Sequence, residues 1–150
     1  MPQSFQSIYI HFVWSTKNRV QFITEDVEVE LYKYMSSIFR YHKSPSLITN
    51  GYKNHVHALV SLSREISIAK LMEEVKRESS KWMKTKGDYF QYFYWQTGYA
   101  AIGIGKNQIG YVKKYIKNQK SHHSQKSFKE EYVELLKKDG VDYDERYMWD

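Results

Sequence analysis

A chain of 150 residues with 41% hydrophobic and 27% charged content fits a single domain, residues 1–150, and leaves no room for a second catalytic domain. It has no cysteine, which excludes disulfides, thiolate zinc sites and a cysteine nucleophile. A formal charge of +6 with 17% aromatic residues suits single-stranded nucleic acid, because basic groups meet phosphate and aromatic faces stack on unpaired bases.

The start, Met1 to Phe5, lacks the charged-then-apolar pattern of a secretory signal, and no apolar run of membrane-spanning length follows. A soluble, cytoplasmic protein is expected. Ser7 to Trp14 alternates, with Ile8, Ile10, Phe12 and Trp14 on one face and Tyr9, His11 and Val13 on the other, which predicts a strand. Thr24 is placed to cap a helix carrying Val27, Leu31, Tyr34, Met35, Ile38 and Phe39 at helical spacing. That helix should end before Pro45.

Ser46 to Asn50 and His55 to Leu62 read as two antiparallel strands joined around Gly51-Tyr52-Lys53-Asn54. In the second strand Val56, Ala58, Val60 and Leu62 share one face, and His55 and His57 share the other. Two Cα atoms at that spacing lie roughly 7 Å apart, so both imidazoles can converge on one divalent ion. The same pair could equally be satisfied polar neighbours in a half-buried strand.

Ser67 is a plausible cap for a helix with the stripe Ile68, Leu71, Met72, Val75, Ser79, Trp82 and Met83. Its lysine-rich reverse face fits a solvated helix back or a DNA track. Gly87-Asp88 should break this helix, and the aromatic run Tyr89 to Trp95 is expected to serve mainly in packing, with some role in stacking on bases also open. A short strand, Tyr99 to Ile104, follows. Lys106 to Lys120 and Phe128 to Lys138 then read as helices, the latter with Ser127 as cap and Gly140 beyond its end. The order predicts an α+β, ferredoxin-like (RRM-like) fold: a βαββαβ antiparallel sheet, two crossover helices on one face, and additional C-terminal helices.

Ile109, Val112 and Ile116 define the buried stripe of the Lys106 to Lys120 helix. At ~100° per residue, Tyr115 lies ~90° from the centre of that stripe, Gln119 is ~40° from Tyr115, and Tyr111 turns towards solvent. If this helix covers the open sheet face, Tyr115 and Gln119 approach the histidine pair. A metal held by His55, His57 and the Gln119 carbonyl oxygen would keep positions open for a substrate phosphate.

These residues resemble those of the single-tyrosine HUH transposases, enzymes of the smallest insertion sequences, which move as single-stranded DNA. His55-Val56-His57 matches the histidine-apolar-histidine motif, and Tyr115-Ile116-Lys117-Asn118-Gln119 matches the helix motif of tyrosine with glutamine four residues later. The resemblance extends over nearly the whole chain. It implies a metal-dependent strand transferase in which the catalytic Tyr115 hydroxyl attacks a DNA phosphate, giving a 5′-phosphotyrosine and a free 3′-hydroxyl. His55, His57 and Gln119 would hold Mg²⁺ or Mn²⁺. No nucleotide cofactor is needed, since one phosphodiester replaces another, and the glycines at 98–110 form no phosphate loop.

A tyrosine of pKa near 10 is ionised about one part in a thousand at neutral pH, a deficit of ~4 kcal/mol that a cation on the phosphate helps to offset. The resemblance further implies hairpin-ended single-stranded DNA as partner and a homodimer whose subunits share active sites. Phosphate contacts are expected from Lys17, Arg19, Lys53, Lys113, Lys114 and Lys117. Tyr111 and Tyr115 also form the tyrosine pair of a helicase-linked branch, but this chain is too short for that helicase and Tyr111 faces away. His122 and His123 could cap the helix, contact phosphate or complete a metal site, and the cap or exposed loop is the expected role. His11 has no paired ligand spacing. The tail from Asp142 to Asp150 should dock on the protein, since its acids would repel DNA. Two other readings use the same residues: a non-catalytic single-stranded nucleic-acid-binding domain, and a host-adopted relative that processes chromosomal repeats.

Overall fold

The computed structural model describes residues 2–123 and 125–149. Met1 and Asp150, which belong to the two terminal stretches read above, and Ser124 lie outside the described residues. In chain order the elements are β1 (Tyr9–Ser15), α1 (Glu25–Tyr41), β2 (Ser46–Tyr52), β3 (His55–Ser61), α2 (Ile68–Lys84), β4 (Ala100–Ile104), α3 (Ile109–Lys117), α4 (Gln119–His122) and α5 (Phe128–Lys138). The strands form one sheet in the order β2-β3-β1-β4, and every neighbouring pair is antiparallel. This is the ferredoxin-like arrangement that the element order predicts. Among the described residues no helix is long and apolar enough to cross a membrane.

Strand alternation divides the protein into two layers. Ile10, Phe12 and Trp14 of β1 and Val56, Ala58 and Val60 of β3 pack against Val27, Leu31, Met35 and Phe39 of α1 and Leu71, Met72, Val75 and Met83 of α2. The opposite face carries His11, Val13, His55, His57 and Leu59. Two separate elements cover it. Val112 and Ile116 of α3 close on Leu59, while Phe128 and Leu136 of α5 close on Val13 and Ala100. Tyr143, Met148 and Trp149 pack against that second cluster, so the tail docks on the protein as expected.

Ser67 and Ser127 cap their helices by accepting from the backbone N–H groups of Lys70 and Glu130. Thr24 occupies the cap position of α1 without such a bond, and its hydroxyl meets Asp26 instead. The aromatic run is only partly packing: Phe90 and Phe93 are buried, but Tyr89, Tyr92 and Tyr94 are exposed. The largest departure concerns Lys106 to Lys120. A short 3₁₀ turn precedes α3, and the helix ends at Lys117, restarting at Gln119 as α4. Asn50 of β2 explains how the break is tolerated. Its Nδ2 donates to the carbonyls of Ile116 at 3.0 Å and Lys117 at 3.3 Å, satisfying acceptors that a continuing helix would otherwise have bonded.

The β2–β3 connection sets the histidines in place. Tyr52 pairs with His55 and Gly51 with Val56, leaving Lys53, at φ 51°, and Asn54 to turn the chain. A Cβ on Gly51 would lie 2.1 Å from the His55 carbonyl oxygen, a clash with backbone that no side-chain rotation relieves. Gly51→Ala is therefore expected to cost about 3 kcal/mol or more, read as a lowered midpoint in urea denaturation.

Candidate metal centre beside a buried tyrosine

The imidazoles of His55 and His57 are fully buried between the sheet and the C-terminal helices. Each is oriented from behind. Nδ1 of His55 lies 2.8 Å from Asn54 Oδ1, and Nδ1 of His57 lies 2.8 Å from Nε2 of His11. Both Nε2 atoms consequently turn towards the same space under α4 and α5. Gln119, the first residue of α4, has its Oε1 3.0 Å from His55 Nε2.

Glu131 of α5 enters this space, although it stands on the apolar face of its helix with Phe128, Leu135 and Leu136. Its Oε1 lies 3.1 Å from His57 Nε2, 2.8 Å from His123 Nε2 and 3.5 Å from His55 Nε2. Its Oε2 accepts from Gln119 Nε2 at 3.1 Å and from the Tyr115 hydroxyl. His122 Nε2 is 3.3 Å from that hydroxyl. His123 thus corrects the expected cap or exposed loop: it is a half-buried residue whose imidazole, 3% exposed, joins the cluster, stacked on Tyr52 with ring centroids 5.9 Å apart.

The donor chemistry fits a cation. Burial lowers the pKa of both His11 and His55 to about 3, with the neighbouring charge of His57 adding to the effect. A neutral His55 has one ring proton, yet its two nitrogens face Asn54 Oδ1 and Gln119 Oε1, both acceptors. With the proton on Nδ1, the Nε2 lone pair points at oxygen, an arrangement that a metal between them resolves. One ligand atom from each of His55, His57, His123 and Glu131 lies within 4.8 Å of all the others. Donors across one ion with bonds of ~2.2 Å are separated by about 4.4 Å, so small side-chain adjustments bring the four to a common centre. Gln119 Oε1 borders the same space.

Electrostatics divide the cluster. Burial works to raise the Glu131 carboxyl, but the charge of His57 and hydrogen bonds from His123 and His57 outweigh it and hold the group well below the ordinary carboxylate range. The Tyr115 hydroxyl is pushed up by burial and by the adjacent Glu131 carboxylate. In this arrangement the tyrosine is held as the neutral phenol. Its ring centroid is 5.8 Å from that of His57 and 6.2 Å from that of His11, all within one chain.

Tyr115, His55, His57 and Gln119 therefore meet, as the spacing predicts, and Tyr111 is exposed. The six cations do not form one group. Lys113, Lys114 and Lys117 lie exposed on α3, and Lys17 is exposed in the turn after β1. Lys53 lies over the Tyr52 ring, and the Arg19 guanidinium is engaged over Trp149 at 5.0 Å. Sequence reasoning missed His11, whose partner is diagonal across two strands. It also missed Glu131, for which a carboxylate on an apolar helix face is the available signal.

His11→Phe keeps the bulk but removes the group that bonds His57 Nδ1. A loss of 10- to 100-fold in metal affinity is expected, the usual scale for such second contacts, measurable by calorimetric titration with Mn²⁺. The metal-free protein should also be acid-sensitive. His11 and His55 bind protons in the unfolded chain below about pH 6.5 but in the folded one only near pH 3. Stability is then complete above the upper value and falls as the pH drops through this window, by up to about 1.4 kcal/mol per pH unit for each ring. Thermal melts between pH 7 and 4 test this; a flat profile would refute it.

The model of the family described as "Transposase IS200 like" matches residues 4–119. His122, His123 and Glu131 lie beyond that match. Among solved structures, a protein of Deinococcus radiodurans R1 described as a candidate transposase superposes with a TM-score of 0.62 at 19% identity, over 79% of this chain and 98% of that one. A REP-associated tyrosine transposase bound to a REP hairpin gives 0.59 at 13% identity, over 82% and 72%. At these identities the likeness is one of fold. No curated protein matches.

Proposed function

Because the chain belongs to the IS200-like transposase family, we propose that it cleaves and rejoins single-stranded DNA through Tyr115, within a single domain. The observation that supports this is the meeting of the Tyr115 hydroxyl with the His55 and His57 cluster around one carboxylate, Glu131. In the forward step the tyrosine oxygen bonds to phosphorus and the bond from phosphorus to the 3′-oxygen breaks. A 5′-phosphotyrosine and a free 3′-hydroxyl result, and the reverse step rejoins the strand. His55, His57 and His123, with Gln119 beside them, would hold a divalent cation, and Glu131 would complete the set only while α5 stays closed over it. Such an ion, when bound, polarises the phosphate and stabilises its developing charge. Three imidazoles favour Mn²⁺ over Mg²⁺, which prefers oxygen donors.

The protein supplies the remaining steps. His55, His57, Gln119 and Glu131 are all essentially inaccessible, so α5 must withdraw Glu131 for a phosphate to reach them. The contact holding α5, centred on Phe128 and Leu136 against Val13 and Ala100, is much smaller than the main core, which makes α5 the element best able to move. Departure of the carboxylate also removes one cause of the raised Tyr115 pKa. His122, whose Nε2 lies 3.3 Å from the Tyr115 hydroxyl, is placed to take the phenolic proton.

Tyr115 and the histidines meet within one chain, and a homodimer whose two copies share their active sites belongs to the same reading. Hairpin-bearing single-stranded DNA is the partner proposed, since a relative of the same fold was solved on a REP hairpin. Lys17, Lys53, Lys113, Lys114 and Lys117 are candidates for its phosphates. The test is a denaturing gel with labelled hairpin DNA taken from the flanks of the chain's own reading frame. A protein-linked product that requires Mn²⁺ or Mg²⁺ supports strand transfer. Binding that survives chelation without any linked product would leave a non-catalytic DNA-binding domain.

A further inference from the structure

A cavity of about 100 Å³ lies between β4, α3 and α5. Ile102, Ile104, Val112 and Leu135 form its walls, and it ends against the Tyr115 ring. Its polar lining is small: Gln108, Lys138 and Asp139 at the exposed lip, and the buried His11 inside. An apolar cavity of roughly 150 Å³ accepts benzene, so this one is on the scale of a single flat ring that enters partway. Mostly apolar walls with a few polar groups at the opening are the usual form of a site that binds a small heterocycle.

We propose that this cavity is a nucleobase subsite, which receives the unpaired base next to the phosphate that Tyr115 attacks. The proposal rests on the strand-transfer reading and adds where the protein itself reads the strand. A phosphate at the Tyr115 hydroxyl has a base one sugar away on either side, and a single-stranded base has an exposed π-face to bury. The Tyr115 side chain is shared between cavity and reaction centre, so a seated base fixes the strand relative to the nucleophile. Exposed Tyr111 at the same lip offers the incoming base an aromatic edge, which gives this second tyrosine a role that the reaction does not.

The experiment measures the rate of adduct formation with oligonucleotides carrying an abasic site immediately 5′ or 3′ of the cleaved bond. Wild-type protein is compared with Ile104→Phe, which fills the cavity, and with Tyr111→Ala, which alters only its exposed lip. Stacking of one base is worth ~1–3 kcal/mol, so one of the two abasic substrates should react about 5- to 150-fold more slowly. Ile104→Phe should impose a similar loss on the intact substrate and no further loss on that abasic one, and Tyr111→Ala should give a smaller loss of the same kind. Equal rates for intact and both abasic substrates overturn the subsite alone. A base effect that persists undiminished in both Ile104→Phe and Tyr111→Ala also overturns it, since the base is then read elsewhere. Absence of adduct with every oligonucleotide overturns the strand-transfer reading, and the subsite with it.

Discussion

Tyr115→Phe is expected to lower covalent DNA adduct formation by more than about a thousandfold, to the floor of a gel assay, while leaving the fold and hairpin binding intact. The substitution removes one oxygen and no ring, so the contacts of Tyr115 with His57 and His11 persist. Glu131 keeps its bonds from Gln119, His57 and His123, which limits the change in stability to about 1 kcal/mol. The reaction, in contrast, loses its only proposed nucleophile, and no neighbouring group replaces a missing nucleophile at comparable rate. Tyr111→Phe provides the internal control. Tyr111 is exposed and its hydroxyl is not part of the cluster, so this variant should retain at least a large part of the adduct. Equal loss in both variants, or none in Tyr115→Phe, would reject the assignment.

His57→Ala should abolish both adduct formation and the thermal stabilisation that Mn²⁺ confers on the wild-type protein. Metal that binds only the folded state raises its stability by mass action, about 2.7 kcal/mol at a hundredfold excess over the dissociation constant. His57 touches both His11 and Glu131, so its removal takes away a ligand and strips the buried carboxylate of a partner. The apo variant should therefore be less stable as well, by roughly 3 kcal/mol. Differential scanning fluorimetry with and without Mn²⁺ separates the two losses. Unchanged Mn²⁺ stabilisation in His57→Ala would show that the cation sits elsewhere. Chelation of the wild-type protein with EDTA should reproduce the loss of adduct without the loss of apo stability.

The sheet order and the two crossover helices were legible because strand alternation and helical stripes act locally: Ile10, Phe12 and Trp14, or Leu71, Met72 and Val75, announce their buried faces within a few residues. The same local logic placed Tyr115 and Gln119 beside His55 and His57. The break at Asn118 was not legible, since no glycine or proline marks it and the group that satisfies the freed carbonyls, Asn50, lies on another strand. His11 and Glu131 belong to the same class of omission, whereas His123, expected mainly as a cap or loop residue, was already open to completing a metal site. Each of the two omitted residues acquires its role from a neighbour distant in sequence, and spacing along the chain carries no trace of it. Glu131 is the partial exception, because a carboxylate on an apolar face needs buried partners.

The most direct test of the account is to trap the protein with hairpin-bearing single-stranded DNA and Mn²⁺, digest nucleic acid and protein, and locate the linked nucleotide by mass spectrometry. A 5′-phosphate ester on Tyr115 is the predicted result. A nucleotide on Tyr111, on a histidine or on any other residue would contradict the proposed chemistry.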